Sequence, residues 1–111
     1  MHEEIEVIES GYEFLLAYAA QGRETDKGSE AREILSGMSV AADTIVGALG
    51  DEDAEFPEVV VADAKKAGAA MRLVLNQDKI SSELVDNLNA SIHLRALLTD
   101  LFLLSETENQ T

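Results

Sequence analysis

Apolar residues recur along this chain in steps of three and four, the spacing that places side chains on one face of an α-helix. Polar stretches interrupt the pattern at three places: Gly22–Ser29 and Gly50–Pro57, which contain glycine, and Asn76–Ser82, which does not. Four helices are therefore predicted, at about residues 2–21, 29–50, 57–76 and 81–105. Short loops between helices of similar length make successive helices antiparallel. The sequence thus predicts a single all-α domain over residues 1–111, an antiparallel up-down-up-down four-helix bundle.

Residues at the predicted helix ends support these boundaries. Ser29 and Ser81 are expected N-caps, because a serine hydroxyl can accept a hydrogen bond from a free backbone N–H of the first turn. Ile80 and Val85 occupy the two positions of a hydrophobic staple around Ser81. Pro57 suits the first turn of the third helix, where its missing N–H would have no partner in any case.

Two of the predicted helices carry more apolar surface than one packed face requires. A helix of a monomeric bundle needs a single apolar face, yet the first and fourth helices each have a second apolar stripe. The surplus predicts a symmetric contact between two copies of the chain. The alternative is that helix crossing angles bury both stripes in one core. The expected interface consists of the second stripes: Phe14, Tyr18, Leu94, Leu97, Leu101 and Leu104.

The charge of the chain limits its partners. Eight Lys and Arg residues stand against 22 Asp and Glu residues, which gives a net charge of −14. Such a surface repels phosphate backbones and anionic lipids, so neither direct nucleic-acid binding nor membrane binding is expected. The acidity is compatible with docking to a basic protein, with mimicry of nucleic acid, and with solubility or adaptation to high salt.

Cysteine content and the N-terminal segment bear on the compartment. The chain has no cysteine, which excludes thiolate chemistry, cysteine-ligated metals and a disulfide scaffold. Its first residues, MHEEIEVIES, are acidic, whereas a signal peptide starts with basic residues. No apolar run reaches the length of a membrane span. A cytoplasmic location is expected.

No motif for a metal, cofactor or nucleophile occurs in the sequence. Di-iron sites in helical bundles use Glu-x-x-His pairs, but Ala90 stands three residues before His93, and the other histidine is His2. The acidic run Asp51–Glu55 lacks the ligand spacing of a calcium loop. Phosphate-binding glycine loops and nucleophile elbows are missing as well. We therefore expect no cofactor and no catalytic activity.

His93 is the candidate exception. With Asp86, Asn89 and Asp100 it is predicted to lie on a polar face of the fourth helix. Phosphotransfer domains use an exposed histidine on a helical bundle, because its ring nitrogen can attack a phosphoryl group. Those domains place an acid directly after the histidine, or a Lys and Gly just beyond it, whereas Leu94 follows here. A surface histidine without function is the alternative.

Arg95 is expected to leave water, since its helical position lies between Leu88, Ile92 and Phe102. An unpaired buried charge is very costly. Arg95 should therefore pair with a carboxylate of another helix, or contact a bound anionic ligand or the C-terminal carboxylate of a partner.

The composition and patterning favour a small acidic helical accessory protein. It would act as a regulator, adaptor or assembly factor by forming a homodimer and binding another protein, without catalysis. Two alternatives remain: a histidine phosphotransfer-type signalling domain that uses His93, and an acidic nucleic-acid mimic that binds a basic protein.

Overall fold

The structure is a computed structural model that describes residues 1–108. This part of the chain contains five helices and no strand, so the all-α prediction is confirmed. The helices form a body of 45 × 24 × 21 Å. Their bounds are α1 His2–Ala19, α2 Ala31–Leu49, α3 Glu55–Leu75, α4 Ser82–Ala90 and α5 Ile92–Glu108.

The first three helices pack in chain order, α1 on α2 and α2 on α3. Gly11 of α1 lies against Met38 of α2. The α2–α3 pair is antiparallel, because Arg32 near the start of α2 donates a hydrogen bond to the carbonyl of Leu75 at the end of α3. The α1–α2 pair is antiparallel as well, because Glu3 near the start of α1 lines the same groove as Thr44 in the second half of α2, whereas Gly11 lies beside Met38. Alanines buried in α2 and α3, such as Ala42 and Ala67, leave room for this close packing.

The predicted fourth helix is two helices, so a four-helix bundle is not confirmed. Ser91 has an extended backbone, with φ −62° and ψ 133°, and its N–H donates to the carbonyl of Leu88 at 3.0 Å. The short helix α4 packs mainly on α1, and α5 packs mainly on α3. The break changes the helical phase: Leu88 is buried, whereas Ile92, four residues later, is 74 % exposed.

The helix ends follow the predicted chemistry in part. The Ser81 hydroxyl accepts a hydrogen bond from the Leu84 N–H at 3.0 Å, which confirms the N-cap of α4, and both staple residues beside it are buried. Pro57 lies in the first turn of α3, as predicted. Ser29 is not the N-cap of α2: the helix begins two residues later than predicted, with Glu30 at its N-cap, and the Ser29 hydroxyl accepts from the Ala31 N–H.

Candidate interaction surfaces

Most of the residues predicted to form an interface lie inside one chain. Tyr18, Leu94, Leu97 and Leu101 are fully buried in the core. Their side chains have no accessible surface left to offer to a second copy. The second stripes therefore belong to the intramolecular core, which was the alternative explanation. The two other predicted residues, Phe14 and Leu104, are partly buried and pack against the same core.

Tyr18 connects α1 to two loops. Its hydroxyl lies within hydrogen-bond distance of the carbonyls of Ile80 and Thr25. Its ring stacks on Phe14 with the centroids 6.2 Å apart, and the Arg23 guanidinium carbon lies 5.7 Å from the ring centroid. These contacts explain why the end of α1 is apolar: it packs against the two loops of the same chain. The aromatic ring of Tyr18 is buried there and its hydroxyl is hydrogen-bonded.

A second polar network joins the same loops. The Arg32 Nε donates to Asp26 Oδ2 at 3.0 Å, and the Ile80 N–H donates to Asp26 Oδ1 at 2.9 Å. The Arg32 hydrogen bond holds the pKa of Asp26 below its ordinary value. Charge-assisted bonds of this kind fix loop geometry. At this end of the molecule, Asp26 therefore holds the α1–α2 loop against the start of α2 and the α3–α4 loop.

The solvent side of α5 carries an unusual apolar surface. Ile92 is 74 % exposed, Phe102 48 % and Leu103 49 %. Ala96 and Thr99 lie between them on the same side of the helix, because the positions follow helical spacing. We name this surface the α5 outer face, defined by Ile92, Ala96, Thr99, Phe102 and Leu103.

Ionised carboxylates are scarce along the α5 outer face. Between Ile92 and Ser105 the sequence contains one acid, Asp100. It is buried, with 7 % of its surface exposed, and lines the open groove of about 640 Å³ that also includes Ile92, Ala96 and Thr99. The charged group on the exposed part of this segment is therefore Arg95.

Asp100 of α5 lies beside Asp63 of α3, a pairing that sequence reasoning missed. Burial and the neighbouring carboxyl group of Asp63 together raise the pKa of Asp100 to about 7. Desolvation disfavours the ionised form, and two carboxyl groups at close range favour sharing a proton. Asp100 Oδ2 is buried without a protein hydrogen-bond partner in residues 1–108.

The predicted polar face around His93 does not form. Asp86 and His93 are exposed, but Asn89 and Asp100 are buried, because the break at Ser91 turns α5 relative to α4. The Asn89 side-chain amide donates to the carbonyl of Leu15 at 3.0 Å. His93 lies in solvent as the second residue of α5, and in residues 1–108 no hydrogen bond to its ring is formed. Phosphotransfer through His93 stays a prediction.

The expectation that Arg95 leaves water is wrong. Its side chain is exposed, and no carboxylate of residues 1–108 lies within ion-pair distance of it. The expectation assumed one continuous helix, in which Leu88, Ile92 and Phe102 would share a buried face. The break leaves Leu88 in the core and turns Ile92 and Phe102 outward. Arg95 lies on the same side of α5 and is exposed as well.

A second exposed apolar surface lies between α1 and α2. Val7 of α1 is 40 % exposed and Val40 of α2 is 62 % exposed. Both line an open groove of about 560 Å³. We name it the α1–α2 groove, and it is lined by Glu3, Glu4, Glu6, Val7, Ser10, Val40, Ala41 and Thr44. Sequence reasoning missed it, because the pattern shows which residues are apolar but not which of them remain in solvent.

In the described part of the chain, no group of three or more His, Cys, Asp or Glu side chains is placed to hold a metal ion. The acidic residues Asp51–Asp53 are exposed in the α2–α3 loop. None of the helices there is long and apolar enough to span a membrane.

Comparison of the chain with protein-family models, curated proteins and solved structures gives no match. The two exposed apolar surfaces are therefore the basis on which a function can be argued.

Proposed function

We propose that this protein is a small acidic helical accessory protein that works by binding other proteins, without catalytic activity, and that it self-associates through the α5 outer face. The observation that carries the proposal is the exposure of Ile92, Phe102 and Leu103 together on one side of α5. Single exposed apolar residues are ordinary, but several along one side of a helix are typical of a protein contact.

The charge of the chain favours a second copy as the occupant of this face. Two molecules with a net charge of −14 repel each other wherever their carboxylates meet. A symmetric contact needs the same patch on both copies to be self-complementary. The α5 outer face meets this requirement better than the glutamate-rich α1, because the segment from Ile92 to Ser105 contains one acid, Asp100, and that acid is buried.

An antiparallel pairing of the two α5 helices also suits the charges at the edge of the face. Arg95 and Glu106 lie on the same side of α5, about three turns apart. Reversing the direction of the second helix brings Arg95 of each copy toward Glu106 of the other. Such rim pairs contribute little free energy but favour one relative orientation of the helices.

Sedimentation analysis over a range of micromolar concentrations tests the proposal. We expect a wild-type dimer and a helical monomer for Phe102→Glu. Leu73→Glu is the matched control, because Leu73 of α3 is also a large exposed residue, at 66 %, but lies outside the α5 outer face. It should remain dimeric. A wild type that is monomeric throughout, or equal dissociation by both variants, would contradict self-association through α5.

A further inference from the structure

The α1–α2 groove combines an apolar floor with acidic flanks. Val7 and Val40 expose their side chains in it, and Ala41 and Thr44 complete its α2 side. Glu3 and Glu6 line its α1 side and make no ion pair with residues 1–108. Glu4 lies 3.9 Å from the N-terminal ammonium group of Met1. The groove therefore offers a ligand both an apolar surface and carboxylates that are not neutralised by ion pairs.

These glutamates argue against a second copy as the occupant. In a symmetric contact, Glu3 and Glu6 of both molecules would meet in a drying interface, and like charges brought together in this way are repulsive. The complementary ligand is an apolar surface with lysine or arginine side chains along its edge. An amphipathic helix that lies in a groove presents both features at once.

The surface of α2 beside Val40 suits close approach by a helix. Gly37, Val40, Thr44 and Gly47 are all exposed and follow one another in steps of three, four and three, which is heptad spacing. A β-carbon added at Gly37 or Gly47 would meet no atom within 4 Å. Neither glycine is therefore required by packing within the chain, although glycine in a helix lowers its stability. Backbone without side chains is what lets another chain come near.

We propose that the α1–α2 groove binds a basic amphipathic α-helix of a partner protein. Its apolar face would lie on Val7 and Val40, and its lysines or arginines would face Glu3 and Glu6. This inference rests on the proposed function, since it names the surface used for a different protein. The two surfaces are separate: α2 makes no contact with α5 in the described part of the chain, and no residue lines both grooves. A dimer formed through α5 can therefore present two grooves.

A designed peptide pair tests this inference by NMR titration of the isotope-labelled full-length protein. The probe is an amphipathic helix with leucine and alanine at heptad positions and lysine elsewhere. Its matched counterpart carries glutamate in place of every lysine. We expect the lysine peptide to shift the amide signals of Val7, Ser10, Gly37, Val40 and Thr44 selectively. The glutamate peptide should leave them unchanged.

Two variants with the same change of charge separate groove binding from general attraction. Val40→Lys should weaken binding of the lysine peptide at least tenfold. Leu73→Lys places the same charge on α3, away from the groove, and should change the affinity less than twofold. Gly37→Leu should also weaken binding while leaving the thermal midpoint of the free protein unchanged or higher, which excludes unfolding as the cause.

Several results would overturn the inference: no binding of the lysine peptide, signal shifts spread over all acidic segments, shifts centred on α5, or equal weakening by Val40→Lys and Leu73→Lys. If the peptide fails while the wild type still dimerises through α5, the groove inference falls and the self-association proposal stands. If the wild type is monomeric but binds the peptide at Val40, the self-association proposal falls and the groove inference stands.

Discussion

Met38 of α2 lies directly over Gly11 of α1: a β-carbon at residue 11 would be 2.5 Å from Met38 Sδ and 2.6 Å from its Cγ. Gly37, the residue before Met38, is exposed, and a β-carbon there would meet nothing within 4 Å. The same residue type therefore has two roles on one pair of helices. Gly11 allows α1 and α2 to approach, whereas Gly37 has no such role within the chain.

Alanine substitutions at the two glycines should have opposite effects. Gly11→Ala should lower the free energy of unfolding by about 1 kcal/mol, because the displaced Met38 side chain outweighs the helix propensity gained. Gly37→Ala should raise it by about 0.5–1 kcal/mol, since alanine restricts the unfolded chain and fits without contact. Urea denaturation of both variants measures the two values. Changes of the same sign would contradict the packing described for α1 and α2.

Removal of the N-cap of α4 should destabilise the protein. Ser81→Ala deletes the hydroxyl that accepts from the Leu84 N–H, and we expect a loss of about 1 kcal/mol in the free energy of unfolding. Ser36→Ala is the control, because Ser36 is exposed on α2 and forms no side-chain hydrogen bond in residues 1–108. An unchanged denaturation midpoint for Ser81→Ala would mean that α4 does not begin there.

Asp100 should make stability depend on pH in an unusual direction. Its folded-state pKa of about 7 lies above the ordinary value of 3.8, so the folded state binds this proton more tightly than the unfolded state does. The stabilisation is complete below about pH 4 and is lost as the pH rises to about 7. Asp100→Asn cannot lose a proton there. Its stability relative to wild type should therefore increase over that range and level off above it.

One pKa unit corresponds to about 1.4 kcal/mol, but Asp100 titrates together with Asp63, so only part of the shift acts as a loss of stability through Asp100 alone. We expect Asp100→Asn to exceed wild type by roughly 1–3 kcal/mol at pH 8, measured by chemical denaturation across the pH range. Asp86→Asn is the control, because Asp86 is exposed on α4. Its profile should run parallel to that of wild type. A parallel profile for Asp100→Asn would contradict the buried acid pair.

Two leucines of α5 should respond differently to the same substitution. Leu97→Glu buries a charge in the core and should unfold the protein. Leu103→Glu places its charge on the exposed side of the same helix and should leave the fold intact. Far-ultraviolet circular dichroism distinguishes the two outcomes. If both variants unfold, the α5 outer face is part of a core and not a surface.

Much of the fold can be predicted from local signals. The apolar spacing places the first three helices within two residues of their observed ends, and Ser81 marks the start of α4. The break at Ser91 carries no such signal, because neither glycine nor proline occurs between Asn76 and Thr111 and the leucine pattern runs through it. Its cause is tertiary: α4 packs on α1 while α5 packs on α3.

The exposed surface of α5 and the contact between Asp63 and Asp100 could not be predicted either, because both depend on how the helices pack. The break decides that Ile92, Arg95 and Phe102 face solvent, although a continuous helix would bury them beside Leu88. The contact between Asp63 and Asp100 joins residues from different helices and depends on how α5 lies on α3. A pattern within one segment contains no information about such a pairing.

The most direct test of self-association through α5 uses single cysteines, which the natural chain lacks. Thr99 on the α5 outer face and Thr44 in the α1–α2 groove are both exposed helical residues, and each hydroxyl donates at 3.0 Å to the carbonyl four residues earlier. Thr99→Cys and Thr44→Cys are therefore matched variants. Each is treated at micromolar concentration with a short thiol-specific crosslinker and analysed on a denaturing gel. We expect covalent dimers from Thr99→Cys and monomers from Thr44→Cys; a monomeric Thr99→Cys, or equal crosslinking of both variants, would contradict self-association through the α5 outer face.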